Sequence, residues 1–253
     1  METTEDLFLG GALKITQPRL GYRAGIDAVL LAAATPVTDG NAAHVVDLGA
    51  GVGTVGLCLA ERLRDVTVDL VEREPELTAL ARQNVARNDL SDRVRVLDCD
   101  LTQKSAANVL QTGGYDHVVA NPPFYAAGSA RPSATALKSA AHILGAGELE
   151  MWARCMARVL RPSGHVTVIH SAHAVDALIG VLARRFGNIK LVPVFARADH
   201  KPAIRCLVTA QKGSRAPLQI GQGLILHGDG HAFRDDVSRV LKEPATLDVW
   251  PRT

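Results

Sequence analysis

Val45-Val46-Asp47-Leu48-Gly49-Ala50-Gly51-Val52-Gly53 is a short apolar strand that runs straight into three spaced glycines. Glycine lets a backbone turn sharply and approach a ligand closely. The residues that follow, Thr54 to Leu63, read as a helix whose N-terminus lies behind the turn. Outward from here the same alternation repeats. Val66 to Val71 is a second strand ending at Glu72. Pro75 suits the first turn of a helix whose apolar face, Leu77, Leu80, Ala81 and Val85, lasts to about Asn88. Val94 to Leu97 and His117 to Ala120 are further strands. Leu149, Trp152, Met156 and Val159 mark a helix stopped by Pro162 and Gly164. His165 to Ile169 is the next strand, and Val175, Leu178, Ile179, Leu182 and Phe186 mark the helix after it. Strand–helix alternation predicts a parallel sheet with helices on both faces. Two strands, about 190–196 and 204–210, follow without a helix between them, so they form a hairpin and the last strand runs antiparallel. The expected class is α/β, with a seven-stranded, mostly parallel sheet.

The chain reads as a single domain with its core over 41–212. Residues 1–40 form an N-terminal lid or extension, with a helix over 26–34 closed by Pro36. Residues 213–253 form a C-terminal extension that adds a strand or hairpin and a short helix. The hydrophobic content, 47%, is ordinary for a globular protein. No apolar run approaches the roughly 20 residues of a bilayer span. The start, METTEDLFLG, is acidic where a secretory signal would be basic and then apolar, so the cytoplasm is the expected compartment, with no membrane partner. The four cysteines, Cys58, Cys99, Cys155 and Cys206, are far apart and read as small core residues. The nine histidines show no ligand spacing, so no metal is expected. The net charge of +2 hides an asymmetry. Residues 1–120 hold 11 Lys and Arg against 17 Asp and Glu; residues 121–253 hold 17 against 9. The second half carries enough positive charge to face a polyanion.

The glycine loop admits two readings. Gly51-Val52-Gly53-Thr54-Val55-Gly56 matches GxGxxG, with Glu72 about 20 residues on, the dinucleotide fingerprint of an NAD-dependent oxidoreductase. That match starts one turn late, because the tight turn already begins at Gly49. Asp47 at the strand end favours instead D-x-G-x-G-x-G, the form found in S-adenosylmethionine (SAM) enzymes. Ligands of open α/β sheets bind beyond the carboxyl ends of the strands, at a helix N-terminus. Asp47, Gly49, Gly51 and Gly53 would cradle the cofactor there, and the Glu72 carboxylate would accept hydrogen bonds from the ribose hydroxyls. After the third strand, Asp100, in preference to Asp98, would meet the adenine amino group.

The fourth strand ends in Asn121-Pro122-Pro123-Phe124-Tyr125. Proline fixes its own φ and forces the preceding residue into an extended conformation, so two in a row make a stiff elbow. The Asn121 side-chain oxygen and the Pro122 carbonyl become two acceptors at fixed spacing, which suits an NH₂ group. Phe124, with Tyr125 beside it, offers a face for a planar group. Adenine and glutamine amines are poor nucleophiles because their lone pairs are delocalised. Two N–H bonds to carbonyl oxygens orient such an amine and stabilise the charge that develops on it during attack.

These motifs identify the core as similar to class I SAM-dependent methyltransferases, Rossmann-like enzymes with a [D/N/S]PP[F/Y/W] motif that modify amino nitrogens. Gly11-Ala-Leu-Lys-Ile-Thr-Gln17-Pro18 and Gly21-Tyr22-Arg23-Ala-Gly-Ile-Asp27 resemble the bacterial tRNA1(Val) adenine-N6 methyltransferases. That resemblance implies methylation of adenosine 37, beside the anticodon, with tRNA as partner. It also implies that Tyr22, Arg23 and Asp27 line the cofactor pocket, Arg23 toward the methionine carboxylate and Asp27 toward its amine. A base in folded RNA must be splayed out to reach such a cleft, and the loop carrying Arg131, Lys138 and His142 is placed to clamp it. Here the motif reads NPPF followed by Tyr, where that group often has NPPY followed by Phe; either ring can stack. Glutamine-N5 methylation of a protein presents the same NH₂ group and remains the alternative to RNA. A SAM-binding RNA chaperone without activity would have no use for the amine clamp.

Overall fold

The chain opens with a hairpin, β1 (Thr3–Phe8) and β2 (Leu13–Pro18), followed by α1 (Ile26–Ala34). The core then alternates through β3 (Ala43–Leu48), α2 (Thr54–Arg62), β4 (Val66–Glu72), α3 (Pro75–Arg87), β5 (Val94–Asp98), α4 (Ala106–Val109), β6 (Tyr115–Ala120), α5 (Ala136–Val159), β7 (Leu160–Ser171) and α6 (Val175–Leu182). It closes with β8 (Phe186–Phe195), β9 (Arg205–Lys212), the two-residue strands β10 (Gln219–Ile220) and β11 (Leu224–Ile225), and α7 (Asp235–Lys242). This computed structural model describes residues 1–20, 23–37, 40, 42–101, 103, 106–123, 136–228 and 230–251, without the side chains of 107, 108 and 136–146. Among the described residues no helix is long and apolar enough to cross a membrane.

The seven expected strands are β3 to β9, in the order β8-β9-β7-β6-β3-β4-β5. β3 to β7 run parallel, and β9 lies antiparallel between β7 and β8. The short β10 and β11 extend the sheet along the other edge of β8, which makes nine strands among the described residues. One sheet face packs Val45, Val68 and Leu207 against α1, α2, α3 and α7; the other packs Val118, Val166 and Val208 against α5 and α6. All four cysteines are buried and free.

Two boundaries differ from the sequence expectation. The helix expected to reach Phe186 ends at Leu182, because Phe186 is recruited into β8 opposite Lys212. α5 runs directly into β7 at Leu160, before Pro162 and Gly164 rather than at them. Leu160 pairs with Tyr115 and the next pair is His165 with His117, so residues 161–164 bulge out of the ladder. Proline and glycine are tolerated at such a bulge because no ladder bond is required of them. The N-terminal hairpin was not foreseen. Its first strand is half-buried only at every second residue, which leaves little apolar signal.

At the amino ends of the strands the buried Asp69 carboxylate joins β3 to β6. It accepts from Arg95 at 2.8 and 2.7 Å and from the Tyr115 hydroxyl at 2.8 Å, and it faces His44 at 3.2 Å. Burial alone would raise its pKa. The bonds from His44, Arg95 and Tyr115 outweigh burial and hold it below the usual carboxylate range.

α2 lies close on β4 because Gly56 has no side chain; a Cβ there would run into Leu70 Cδ2 and stand 3.0 Å from Val68 Cγ1. Packed interiors resist such insertions. Gly56→Ala is expected to cost about 1–3 kcal/mol through overpacking. An unchanged urea midpoint would contradict this account of the α2–β4 contact.

Candidate active site

The carboxyl ends of β3 to β6 open on one rim. A cleft of about 350 Å³ lies there, walled by Gly49, Gly51, Glu72, Asp100, Asn121 and Trp152 among others. Parallel pairing sets Leu48 opposite Val71, and the N–H groups of Gly49 and Ala50 both donate to the Val71 carbonyl at 2.9 Å. The loop is thereby pressed against the end of β4. Glu72 Oε2 accepts from the Gly51 N–H at 2.8 Å, and Oε1 accepts from the N–H groups of Arg73 and Glu74 at 2.8 and 2.9 Å. A carboxylate offers about four acceptor positions. The described residues fill three, which leaves room for one further donor from the cleft.

The backbone has positive φ at Gly49, Gly51 and Gly53. At Gly49 space is the second constraint, since a Cβ there would stand 2.5 Å from Trp152 Cη2. The Trp152 indole thus packs on bare loop backbone while forming part of the cleft wall. Its helical spacing with Leu149 and Met156 had marked it only as core.

Asp47 lies beneath the loop, 1% exposed. Its Oδ2 accepts from the Gly56 N–H at 3.0 Å and so ties the end of β3 to the first turn of α2. Burial pushes its carboxyl up to about 7; the Gly56 bond opposes the shift and the charge of Glu72 adds to it. A void of about 30 Å³ is lined by Asp47, Ala24, Thr54 and Asn121 among others.

β6 delivers Asn121 and Pro123 to the cleft wall, with Pro122 buried between them. Asp100 lines the cleft, whereas Asp98 does not. Asn84, missed by sequence reading, is fully buried on α3. Its amide accepts from the Thr16 N–H at 2.8 Å and donates to the carbonyls of Thr16 and Val52, each at 3.0 Å. It thus joins the hairpin to the glycine loop. Gln17 works in the same way, accepting from the Ala24 N–H at 2.9 Å and donating to Asp6 at 2.9 Å.

Arg23 and Asp27 are engaged with protein partners. Arg23 donates to Asp6 Oδ2 and Thr4 Oγ1, each at 2.6 Å, and to the Pro18 carbonyl at 2.9 Å. Asp27 accepts from Arg205 Nε at 2.7 Å. Tyr22, Phe124, Tyr125 and Arg131 lie outside the described residues, as do the side chains of Lys138 and His142.

A glycine-loop cleft at the rim of a parallel sheet with one antiparallel strand inserted near its end is the arrangement of SAM-dependent methyltransferases. Residues 24–194 match the methyltransferase small domain family. A tRNA1(Val) (adenine(37)-N6)-methyltransferase of Aeromonas hydrophila subsp. hydrophila is 34% identical over 171 residues, 67% of this chain and 68% of the relative. One of Aeromonas salmonicida is 30% identical over 225 residues, 87% of this chain and 89% of the relative. Among solved structures, a protein of Agrobacterium tumefaciens described as a predicted O-methyltransferase superposes with a TM-score of 0.72 at 30% identity, covering 87% of this chain and 97% of its own. The chain belongs to the methyltransferase small domain family and is a SAM-dependent methyltransferase.

Asp47 provides a test of the loop electrostatics. In the folded protein its carboxyl holds a proton up to about pH 7. In the unfolded chain it loses that proton near pH 4. Between these limits folding takes up a proton, so the cost of this group to folding is absent below about pH 4, grows from there to about pH 7 and is constant above. Asp47→Asn should therefore gain stability relative to wild type between pH 5.5 and pH 8, read from urea midpoints. A difference independent of pH would refute the assignment.

Proposed function

We propose that this protein transfers a methyl group to an exocyclic amino nitrogen, with adenine N6 in tRNA as the acceptor. The observation that carries the reading is the position of Asn121 and Pro123 just beyond the end of β6, on the wall of the cleft that the glycine loop also lines, with Pro122 buried between them. An amine has two N–H groups to give, and the Asn121 oxygen and Pro122 carbonyl are two acceptors. A hydroxyl has one, so the oxygen acceptor in the Agrobacterium protein's description would leave one acceptor idle. The names of the curated relatives support adenine 37 of a tRNA as the substrate class.

The cleft suits SAM in its donor set: bare glycine backbone, the Trp152 face, the remaining acceptor position of Glu72 for a ribose hydroxyl, and Asp100 for the adenine amine. SAM supplies an electrophilic sulfonium methyl group. The protein's part is to hold the amine in line, draw its lone pair out of conjugation and exclude water. Phe124 would stack on the acceptor ring. No strong base is required, because the methylated nitrogen becomes acidic and releases its proton afterwards. Arg23 and Asp27, ion-paired to Asp6 of β1 and Arg205 of β9, would act on the cofactor by fixing the segment before and within α1.

The decisive experiment incubates the protein and labelled SAM with unmodified tRNA or with total protein, followed by nucleoside mass spectrometry. Label in N6-methyladenosine supports the proposal, and label in protein glutamine replaces it with the alternative. Two substitutions test the site. Glu72→Ala should weaken SAM binding by roughly 1–3 kcal/mol, the worth of a hydrogen bond to a charged group plus the loop contact it holds. Unchanged affinity by calorimetry would place the ribose elsewhere. Asn121→Ala should slow single-turnover transfer by about 10²–10³, as for the loss of one preorganised transition-state partner, with much smaller changes in SAM and RNA affinity. Near-wild-type rates in folded Asn121→Ala protein would remove the mechanism.

A further inference from the structure

Glu150 of α5 is ringed by three arginines. Arg185 reaches both its oxygens, at 2.6 and 3.2 Å; Arg154 donates from Nε at 2.9 Å; Arg184 stands at 3.5 Å. Arg185 is mostly covered, whereas Arg154 and Arg184 are 70% and 67% exposed. Exposed ion pairs contribute little to stability, and a carboxylate is satisfied by fewer than three cations. The cluster carries a net charge of +2 held at close range against its own repulsion. Among the described residues Arg154 spends one of its five N–H donors on Glu150, and Arg184 meets it as an ion pair without a hydrogen bond. The remaining donors face solvent in the geometry that binds phosphate oxygens in pairs.

The cluster's place on α5 gives this arrangement a use. Glu148 and Trp152 line the cleft. Glu150 and Arg154 follow each of these by two residues, about 200° round the helix, and so lie on its opposite side. About one helix diameter, roughly 10 Å, therefore separates the cluster from the cleft wall. The surroundings share the sign: residues 150–185 hold five Arg against one Glu and one Asp.

We propose that Arg154, Arg184 and Arg185, organised by Glu150, form a phosphate clamp for the RNA backbone flanking the methylated nucleotide. This rests on the tRNA reading above. Glu150 is the positioning residue: its carboxylate lowers the net charge but gathers the three guanidiniums around one point, two of them by hydrogen bonds. The bonds from Arg185 and Arg154 also hold its carboxyl down to about 2, so it stays ionised throughout the working pH range.

The test measures the affinity of unmodified tRNA by fluorescence anisotropy from 50 to 300 mM salt, with SAM affinity by calorimetry as a control for folding. Arg154→Ala with Arg184→Ala should weaken tRNA binding at least tenfold at low salt. It should also reduce the slope of log affinity against log salt by about 1.4–1.8, as for two lost phosphate contacts, and leave SAM affinity unchanged. Glu150→Gln adds a positive charge yet releases the guanidiniums, so it should weaken RNA binding as well; tighter binding would overturn the organising role. A double variant that binds tRNA as wild type does overturns the clamp alone. A wild-type protein that neither binds nor methylates RNA overturns the tRNA reading together with it.

Discussion

The carboxylate of Glu72 is the joint on which the site depends. It closes β4, accepts from the Gly51 N–H, and turns the chain into α3 by accepting from Arg73 and Glu74. Three backbone donors on one carboxylate are short-range constraints that cost little chain entropy, because two of them lie within two residues of the acceptor. The third requires β3 and β4 to be parallel and in register, with Leu48 opposite Val71. A slip of one residue would turn every β4 side chain to the other face of the sheet and separate Glu72 from the loop. The apolar faces of the two strands prevent that slip: Val45 and Val68 pack on one side, Val46 and Val71 on the other. The core thus holds the cleft in place through register.

Beyond this joint, polar side chains in dry surroundings bring the N-terminal segment to the loop. Asn84 spends both ends of its amide on backbone groups of Thr16 and Val52. Gln17 holds Ala24, which borders the small void behind the loop. Removing either amide would leave buried backbone groups without partners, a larger loss than the bond itself.

These amides also show where sequence reading stops. The glycine loop, Glu72 and Asn121-Pro122-Pro123 were legible because each is a local instruction, in which residue type restricts the backbone of its own neighbourhood. The strand–helix alternation was legible for the same reason, and the residue order alone placed β9 as the antiparallel strand. Asn84 reaches a strand 68 residues away, and the contact of Trp152 with Gly49 spans more than a hundred. Nothing in their own neighbourhoods distinguishes such residues from an ordinary helix face. Arg23 and Asp27 stand between these cases: the resemblance marked them as cofactor residues, and the structure pairs them with Asp6 and Arg205. Such pairings are long-range, and residue type alone does not reveal them.

The charges of the two halves are set by opposite demands. Glu72, Glu74, Asp100 and Glu148 all line the cleft against Arg73 alone, which pairs with Glu74. A negative, partly desolvated hollow favours a cationic sulfonium and repels phosphate. A polyanionic substrate brought to such a rim would be pushed away unless its charge were met elsewhere. On the reading proposed here, the basic surplus of residues 121–253 does that from outside the cleft wall, where Arg154 and Arg184 lie on the far side of the helix that carries Glu148. The acidic interior then admits only the neutral base, and the arginines meet the backbone charge outside it. Neutralising the acids would strengthen RNA adsorption and weaken this discrimination, because phosphate could then enter the space meant for the base.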